Sequence, residues 1–67
     1  MSVVKIIQVI GQSPQSFDEA VKSAVEETTK SVRNVKSFQV DEMSGEVGDD
    51  GKVANYRASV KIAFVVE

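Results

Sequence analysis

The 67-residue sequence predicts an α+β fold, in which one amphipathic helix packs on a three-stranded antiparallel sheet in the chain order β-α-β-β. Within residues 52–66, apolar residues occupy every second position from Tyr56 to Val66, and the polar residues Asn55, Arg57, Ser59 and Lys61 alternate with the first of them, which is typical of a strand with one buried face. Only one window, beginning at Ser16, has the i, i+3, i+4 spacing of apolar residues that favours a helix. The final strand would extend about 50 Å at about 3.3 Å per residue. Since one helix cannot cover a sheet of that length, we expect other copies of the chain to cover the rest.

Three strands are predicted, over residues 3–10, 35–47 and 52–66. The first is rich in β-branched residues and is followed by Gly11, which favours a strand end. A three-residue hairpin loop that pairs Gly48 with Lys52 places Phe38 on the same face as Ile62. A two-residue loop would reverse that register, so the three-residue loop is favoured. The same register places these residues on the other face of the last two strands: Ser37, Gln39, Asp41, Met43, Asn55, Arg57, Ser59 and Lys61.

The helix is predicted over residues 16–33. Ser16 followed by Glu19 has the spacing of a capping box, which favours a helix start. Ser13 followed by Pro14 is a competing start, because proline suits the first turn of a helix. Basic residues near the predicted end suit the negative C-terminal pole of the helix dipole. The chain therefore forms a single domain, spanning residues 1–67, with one helix.

The composition excludes several classes of function. The chain contains no Cys and no His, which excludes disulfides, zinc fingers and imidazole bases. With no recognisable nucleophile–base pair, we expect a protein that is not an enzyme. The net charge is −2 and the basic residues are scattered, so we expect no nucleic-acid partner, and no apolar run suits a membrane. The chain is small for a self-sufficient core, which favours self-association, and the lack of Cys fits a cytoplasmic location.

Several segments together resemble one family. They are the sequence GQSPQSF at 11–17, the spacing of Ala20 and Ala24, VDEMSG at 40–45 and VKIAF at 60–64. In order, spacing and length the chain resembles the dodecins over almost its whole extent. The resemblance implies β-α-β-β subunits that assemble into a hollow homododecamer. It also implies flavins bound in stacked pairs near two-fold axes, for storage or sequestration rather than turnover.

The flavin-binding positions of the family are altered in this sequence. The stacking Trp falls on Ser37, and the chain contains no Trp. The Gln that bonds the isoalloxazine edge falls on Arg57, and an acidic position near the site falls on Glu46. Where some members offer an Arg to the flavin phosphate, this chain has Val65. Stacking is worth about 1–3 kcal/mol per ring contact, so we expect a small-molecule-binding homo-oligomer whose affinity for riboflavin or FMN is weakened or lost.

Each of the candidate residues allows two interpretations. Arg57 either contacts a ligand or pairs with Asp41 across the strands. Ser37 either lines a pocket left by the missing ring or is an ordinary polar strand residue. The acidic cluster beside the hairpin either holds Ca²⁺ or Mg²⁺ or serves only the turn; it contains Glu46, Asp49 and Asp50. A cation-binding or purely structural shell is therefore the alternative to an organic ligand.

Overall fold

A single antiparallel sheet with the strand order β1-β3-β2 carries one helix on one of its faces. The computed structural model describes residues 2–66 of the chain. The elements are β1 (Val3–Ser13), α1 (Phe17–Thr29), β2 (Val35–Val47) and β3 (Val53–Val66). The order and type of these elements confirm the α+β prediction. With 13 residues, α1 falls short of a membrane span, and residues 2–66 contain no other helix that could serve as one.

The first strand is three residues longer than predicted, ending at Ser13 rather than near residue 10. Gly11 does not end the strand, because it pairs with Ala58 of β3 and is buried beneath α1. A Cβ atom at this position would collide with the carbonyl oxygen of Ala20 and lie 2.9 Å from the Cβ of Ala24. Glycine is required here by the close approach of helix to sheet, and the prediction of a strand end was wrong.

The helix starts at Phe17, with Ser16 as its N-cap. The Ser16 side chain accepts a hydrogen bond from the backbone N–H of Glu19 at 3.1 Å, as the capping interpretation requires. The competing residue Ser13 instead accepts a bond from the backbone N–H of Gln15 at 3.0 Å, which stabilises the bend before the helix.

The end of the helix differs from the prediction, because α1 stops at Thr29 instead of near residue 33. The chain leaves the helix through a turn in which Val32 N–H donates to the carbonyl of Thr28 at 2.9 Å. Asn34 then adopts a positive φ of 62°, a left-handed conformation that Asn tolerates and that reverses the chain into β2. The Asn34 carbonyl accepts from Val65 N–H at 3.1 Å. The pairing of the following segment with β3 therefore ends the helix earlier than the spacing of its apolar residues predicts.

The hairpin between β2 and β3 has the predicted three-residue loop. Gly48 N–H donates to the carbonyl of Lys52 at 2.8 Å, and Phe38 pairs with Ile62. Beyond Val40 the register shifts by one residue, which is a β-bulge in β2. The bulge reverses the alternation of the following residues, so Met43 pairs with Ala58 and faces the helix side. The prediction that Met43 lies on the polar face was wrong for this reason.

The buried core lies between the middle of the helix and the middle of the sheet. It contains five fully or almost fully buried residues: Ala20, Ala24, Ala58, Val60 and Ile62. A 13-residue helix is about 20 Å long at 1.5 Å per residue, whereas the molecule is 53 Å long. The radius of gyration is 13.8 Å, compared with about 11 Å for a compact domain of this length. Much of the sheet is therefore uncovered in the isolated chain.

Candidate ligand-binding face

The sheet face opposite the helix, here called the open face, carries the positions predicted to bind a ligand. It consists of the even-numbered residues of β1, the odd-numbered residues of β3 from Asn55 onward, and the residues of β2 that pair with them. This assignment follows from strand alternation, because the even-numbered residues 58, 60 and 62 of β3 are buried under the helix.

Ser37 lies at one end of the open face, where it pairs with Ala63. Its side chain is exposed and lines a depression of about 200 Å³ together with Ile6, Gln39 and Lys61. This arrangement agrees with the interpretation of Ser37 as the lining of a pocket. The volume is below the roughly 300–1,000 Å³ of typical small-molecule sites. A single chain therefore does not enclose a ligand of cofactor size at this position.

Arg57 lies on the central strand toward its hairpin end, between Gln12 of β1 and Ser44 of β2. The residue is half-buried, and its Nε atom is buried without a hydrogen-bond partner within residues 2–66. Buried polar groups are nearly always paired in folded proteins. An acceptor for the Nε–H of Arg57 is thus missing from the described part of the chain.

Asp41 is not the partner of Arg57, so this alternative prediction was wrong. Its Oδ1 atom lies 3.7 Å from Lys61 Nζ, and its Oδ2 atom accepts a hydrogen bond from Gln8 Nε2 at 3.0 Å. The cause is the bulge after Val40, which places Ser44 opposite Arg57.

Glu46 lies close to Arg57 on the open face, whereas Ser37 does not. Glu46 pairs with Asn55, and its Oε1 atom accepts a hydrogen bond from Asn55 Nδ2 at 3.3 Å. The strand partner of Ser37, Ala63, is six positions from Arg57 along β3 (63 − 57), which corresponds to about 20 Å. One chain therefore brings together two of the three predicted ligand-binding residues, and it holds Ser37 apart from them.

The acidic residues beside the hairpin do not converge on a metal site within one chain. Asp50 Oδ1 accepts a hydrogen bond from the backbone N–H of Lys52 at 3.0 Å, which serves the turn. The Glu46 carboxylate accepts from Asn55 instead. In the described range, 2–66, no three His, Cys, Asp or Glu side chains are grouped so as to hold a metal ion.

The sequence-based reasoning overlooked the polar residues of β1 that face the candidate site. Gln8 donates to both Asp41 Oδ2 at 3.0 Å and Ser59 Oγ at 2.7 Å, so it connects all three strands. Gln12 accepts from Asn55 Nδ2 at 2.8 Å. A signal was present, since Gln8 interrupts an otherwise apolar run of β-branched residues. Its partners depend on the pairing of β1 with β3, which the local pattern does not reveal.

Comparison with known proteins identifies relatives along the whole described chain. The family model described as Dodecin matches residues 3–67. The calcium dodecin of Mycobacterium tuberculosis is 36% identical over 64 residues, covering 96% of this chain and 89% of that protein. The dodecin of Thermus thermophilus is 28% identical over 65 residues, covering 97% and 93%.

Solved structures show the same fold. The dodecin of Streptomyces coelicolor superposes with a TM-score of 0.94 at 30% identity, covering 98% of this chain and 93% of that chain. The crystal structure of the M. tuberculosis calcium dodecin, described as having a novel calcium-binding site, gives a TM-score of 0.86 at 33% identity, with the same coverage of 98% and 93%.

Proposed function

Because the chain belongs to the dodecin family, we propose that it assembles into a hollow homododecamer that binds and stores a small molecule between its subunits, without catalysing a reaction. The observation that carries this proposal is the uncovered surface of the isolated chain. Three apolar residues of the open face are more than half exposed: Val4 at 56%, Ile6 at 64% and Ile10 at 58%.

The total exposed area supports the same proposal. The chain exposes 4950 Å², whereas a compact monomer of its 7.3 kDa mass exposes about 4,200 Å². The excess reflects a long sheet with a short helix on one side only. Contact with neighbouring subunits, or with a small molecule bound at the open face, would cover the apolar residues of that face, as in other obligate oligomers.

The separation of Ser37 from Arg57 bears on where a ligand lies. Because about 20 Å of strand lies between their positions, a ligand that contacts both has to lie between two subunits. At such a site the guanidinium of Arg57, whose Nε has no partner within residues 2–66, would supply hydrogen-bond donors. Ser37 has no aromatic surface, so riboflavin or FMN would lose the stacking energy that an aromatic residue gives.

Two measurements test the proposal together. Light scattering of the purified chain is expected to give a mass of twelve subunits, and a mass near one subunit would reject the assembly. Titration of riboflavin and FMN into the verified oligomer is expected to give weak fluorescence quenching. Strong quenching that saturates at a fixed ratio to subunits would contradict the proposed loss of affinity.

A calcium-binding shell is the second candidate, favoured by the similarity to the M. tuberculosis calcium dodecin. Since residues 2–66 contain no metal-binding group of three acidic side chains, such a site would need carboxylates from neighbouring subunits. Asp49 is exposed at the hairpin and is a candidate donor. Calorimetry of the oligomer with Ca²⁺, and with Mg²⁺ for comparison, tests this candidate. Heat of binding that the variant Asp49→Asn abolishes would support it, and a flat titration with millimolar Ca²⁺ would reject it.

A further inference from the structure

The depression over Ser37 combines polar and apolar residues. Its polar lining residues are Lys61, Gln39 and Ser37, and its apolar lining residues are Ile6, Phe38 and Ala63. Three adjacent side chains therefore offer hydrogen-bond donors, and one of them is cationic. No acidic residue lines the depression within the described part of the chain.

The ammonium of Lys61 is free to turn toward a ligand. Its Nζ atom lies 3.7 Å from Asp41 Oδ1, which is longer than a hydrogen bond, and the two side chains are 43% and 38% exposed. Exposed pairs of this kind contribute little to stability. Asp41 also accepts a hydrogen bond from Gln8 Nε2 at 3.0 Å. The Asp41 carboxylate would therefore still accept a hydrogen bond from Gln8 after Lys61 moved away.

We infer that Lys61 makes this depression a binding site for a compact amphipathic anion, with an aromatic carboxylate as the model ligand. The carboxylate accepts a charge-assisted hydrogen bond from Lys61, and Ser37 and Gln39 are flanking donors. The ring lies on Ile6, which is 64% exposed and whose burial favours binding. The inference rests on the proposed small-molecule role and names the class of ligand. At this position the attraction between Lys61 and the ligand carboxylate replaces stacking on an aromatic ring.

A matched pair of probes tests this inference on the intact oligomer. Naphthoate and naphthalenemethanol share one ring system, but only naphthoate carries a negative charge. Equilibrium dialysis against wild-type protein is expected to give about tenfold tighter binding of naphthoate, which corresponds to about 1.4 kcal/mol. Equal affinities of the wild-type protein for the two probes, or no binding of either, would overturn the inference without the need for any variant.

A pair of lysine variants locates the effect. Lys61→Gln is expected to weaken naphthoate binding about tenfold and to leave naphthalenemethanol binding unchanged. Lys52→Gln is the control, because this exposed residue follows the hairpin loop and does not line the depression. An equal loss of naphthoate affinity in both variants would show a general effect of charge and would overturn the assignment to Lys61.

The inference and the proposed function fail in different ways. A twelve-subunit oligomer that binds both probes equally refutes the role of Lys61 and leaves the assembly intact. A monomeric mass refutes the assembly, but the depression lies within one chain, so the preference for naphthoate is still measurable. Should Lys61→Gln not assemble, Lys61→Arg preserves the charge and is expected to retain the naphthoate preference.

Discussion

The two faces of the same sheet are built on opposite principles. The helix face is closed by small residues, with Ala20 and Ala24 of the helix packed over Gly11 and Ala58 of the sheet. The open face carries long polar side chains, the half-buried Arg57, and apolar residues that remain exposed. Beneath the helix the first face is closed by the chain itself, although Phe38 and Met43 of β2 stay more than half exposed on that face. The second face has no covering element within residues 2–66 and needs a covering surface along its whole length.

The contacts that stabilise the subunit therefore lie on the helix face, whereas the residues available for assembly and ligand binding lie on the open face. Close packing of Ala20 and Ala24 on Gly11 and Ala58 leaves no room for a ligand between the middle of the helix and the sheet. The open face has exposed apolar area, a depression over Ser37 and an unpaired guanidinium atom. Substitutions on the two faces are therefore expected to have different consequences, and four predictions examine that division.

The largest expected effect compares an isoleucine from each face. Ile62→Ala removes a side chain that is fully buried and is expected to cost about 2–5 kcal/mol in the free energy of unfolding. Ile10→Ala, at a position 58% exposed on the open face, is expected to change the stability of the subunit by about 0.5 kcal/mol or less and to weaken assembly instead. Urea unfolding at one fixed protein concentration, with light scattering, measures both. Equal losses of stability would contradict the division of roles.

The second prediction restores an aromatic surface to the open face. Ser37→Trp is expected to raise the affinity of the oligomer for riboflavin by at least about tenfold, since stacking contributes about 1–3 kcal/mol per ring. Flavin fluorescence quenching measures the change. Lys22→Trp, at an exposed position of the helix, is the control and is expected to have no effect. If both variants bind riboflavin equally well, the gain does not arise at position 37.

The third prediction concerns the cap that holds the helix on its face. Ser16→Ala removes the acceptor of the 3.1 Å bond from Glu19 N–H and is expected to cost about 1 kcal/mol. Ser44→Ala is the matched control, because Ser44 is exposed on the open face. The two variants are compared by urea unfolding. A loss in Ser44→Ala as large as in Ser16→Ala would indicate that the cap contributes little.

The smallest expected effect comes from the ion pair on the open face. Asp41→Asn removes the charge that faces Lys61 at 3.7 Å but keeps an oxygen for Gln8, so stability is expected to fall by less than about 1 kcal/mol. Because Lys61 is released, naphthoate binding is expected to strengthen roughly twofold, an effect that salt reduces. Dialysis at low and high salt checks this, with Asp49→Asn as the control. Weaker naphthoate binding by Asp41→Asn would contradict the proposed role of Lys61.

Local sequence patterns were sufficient for the elements of this fold but not for all of its contacts. Alternation and the residues of the hairpin predicted the strands and the pairing of Phe38 with Ile62, because both depend on neighbours in the sequence. The bulge after Val40 has no local signal of this kind, since no glycine marks it. It determines which residues face Arg57 and on which side Met43 lies. The prediction failed where the structure depends on tertiary pairing.

The candidate site shows the same limit. Ser37 was identified through the family resemblance, and it does line a depression. The hairpin register already placed Lys61 on this face, whereas Ile6 reaches it through the pairing of β1 with β3, which puts Ile6 opposite Ala63, 57 positions away (63 − 6). Gly11 was interpreted as a strand end because glycine often terminates strands. Its actual role, the close approach of the helix, becomes visible only once the two elements are packed.

The strand order β1-β3-β2 has a consequence for biosynthesis. The central strand is the last of the three to be translated, and β1 and β2 each pair with β3 rather than with each other. A nascent chain that ends before β3 therefore displays two strands without partners, a state prone to aggregation. The subunit cannot fold before β3 has been translated. The surface that neighbouring subunits would recognise also requires β3. A chain that terminates within β3 is thus expected neither to fold nor to assemble.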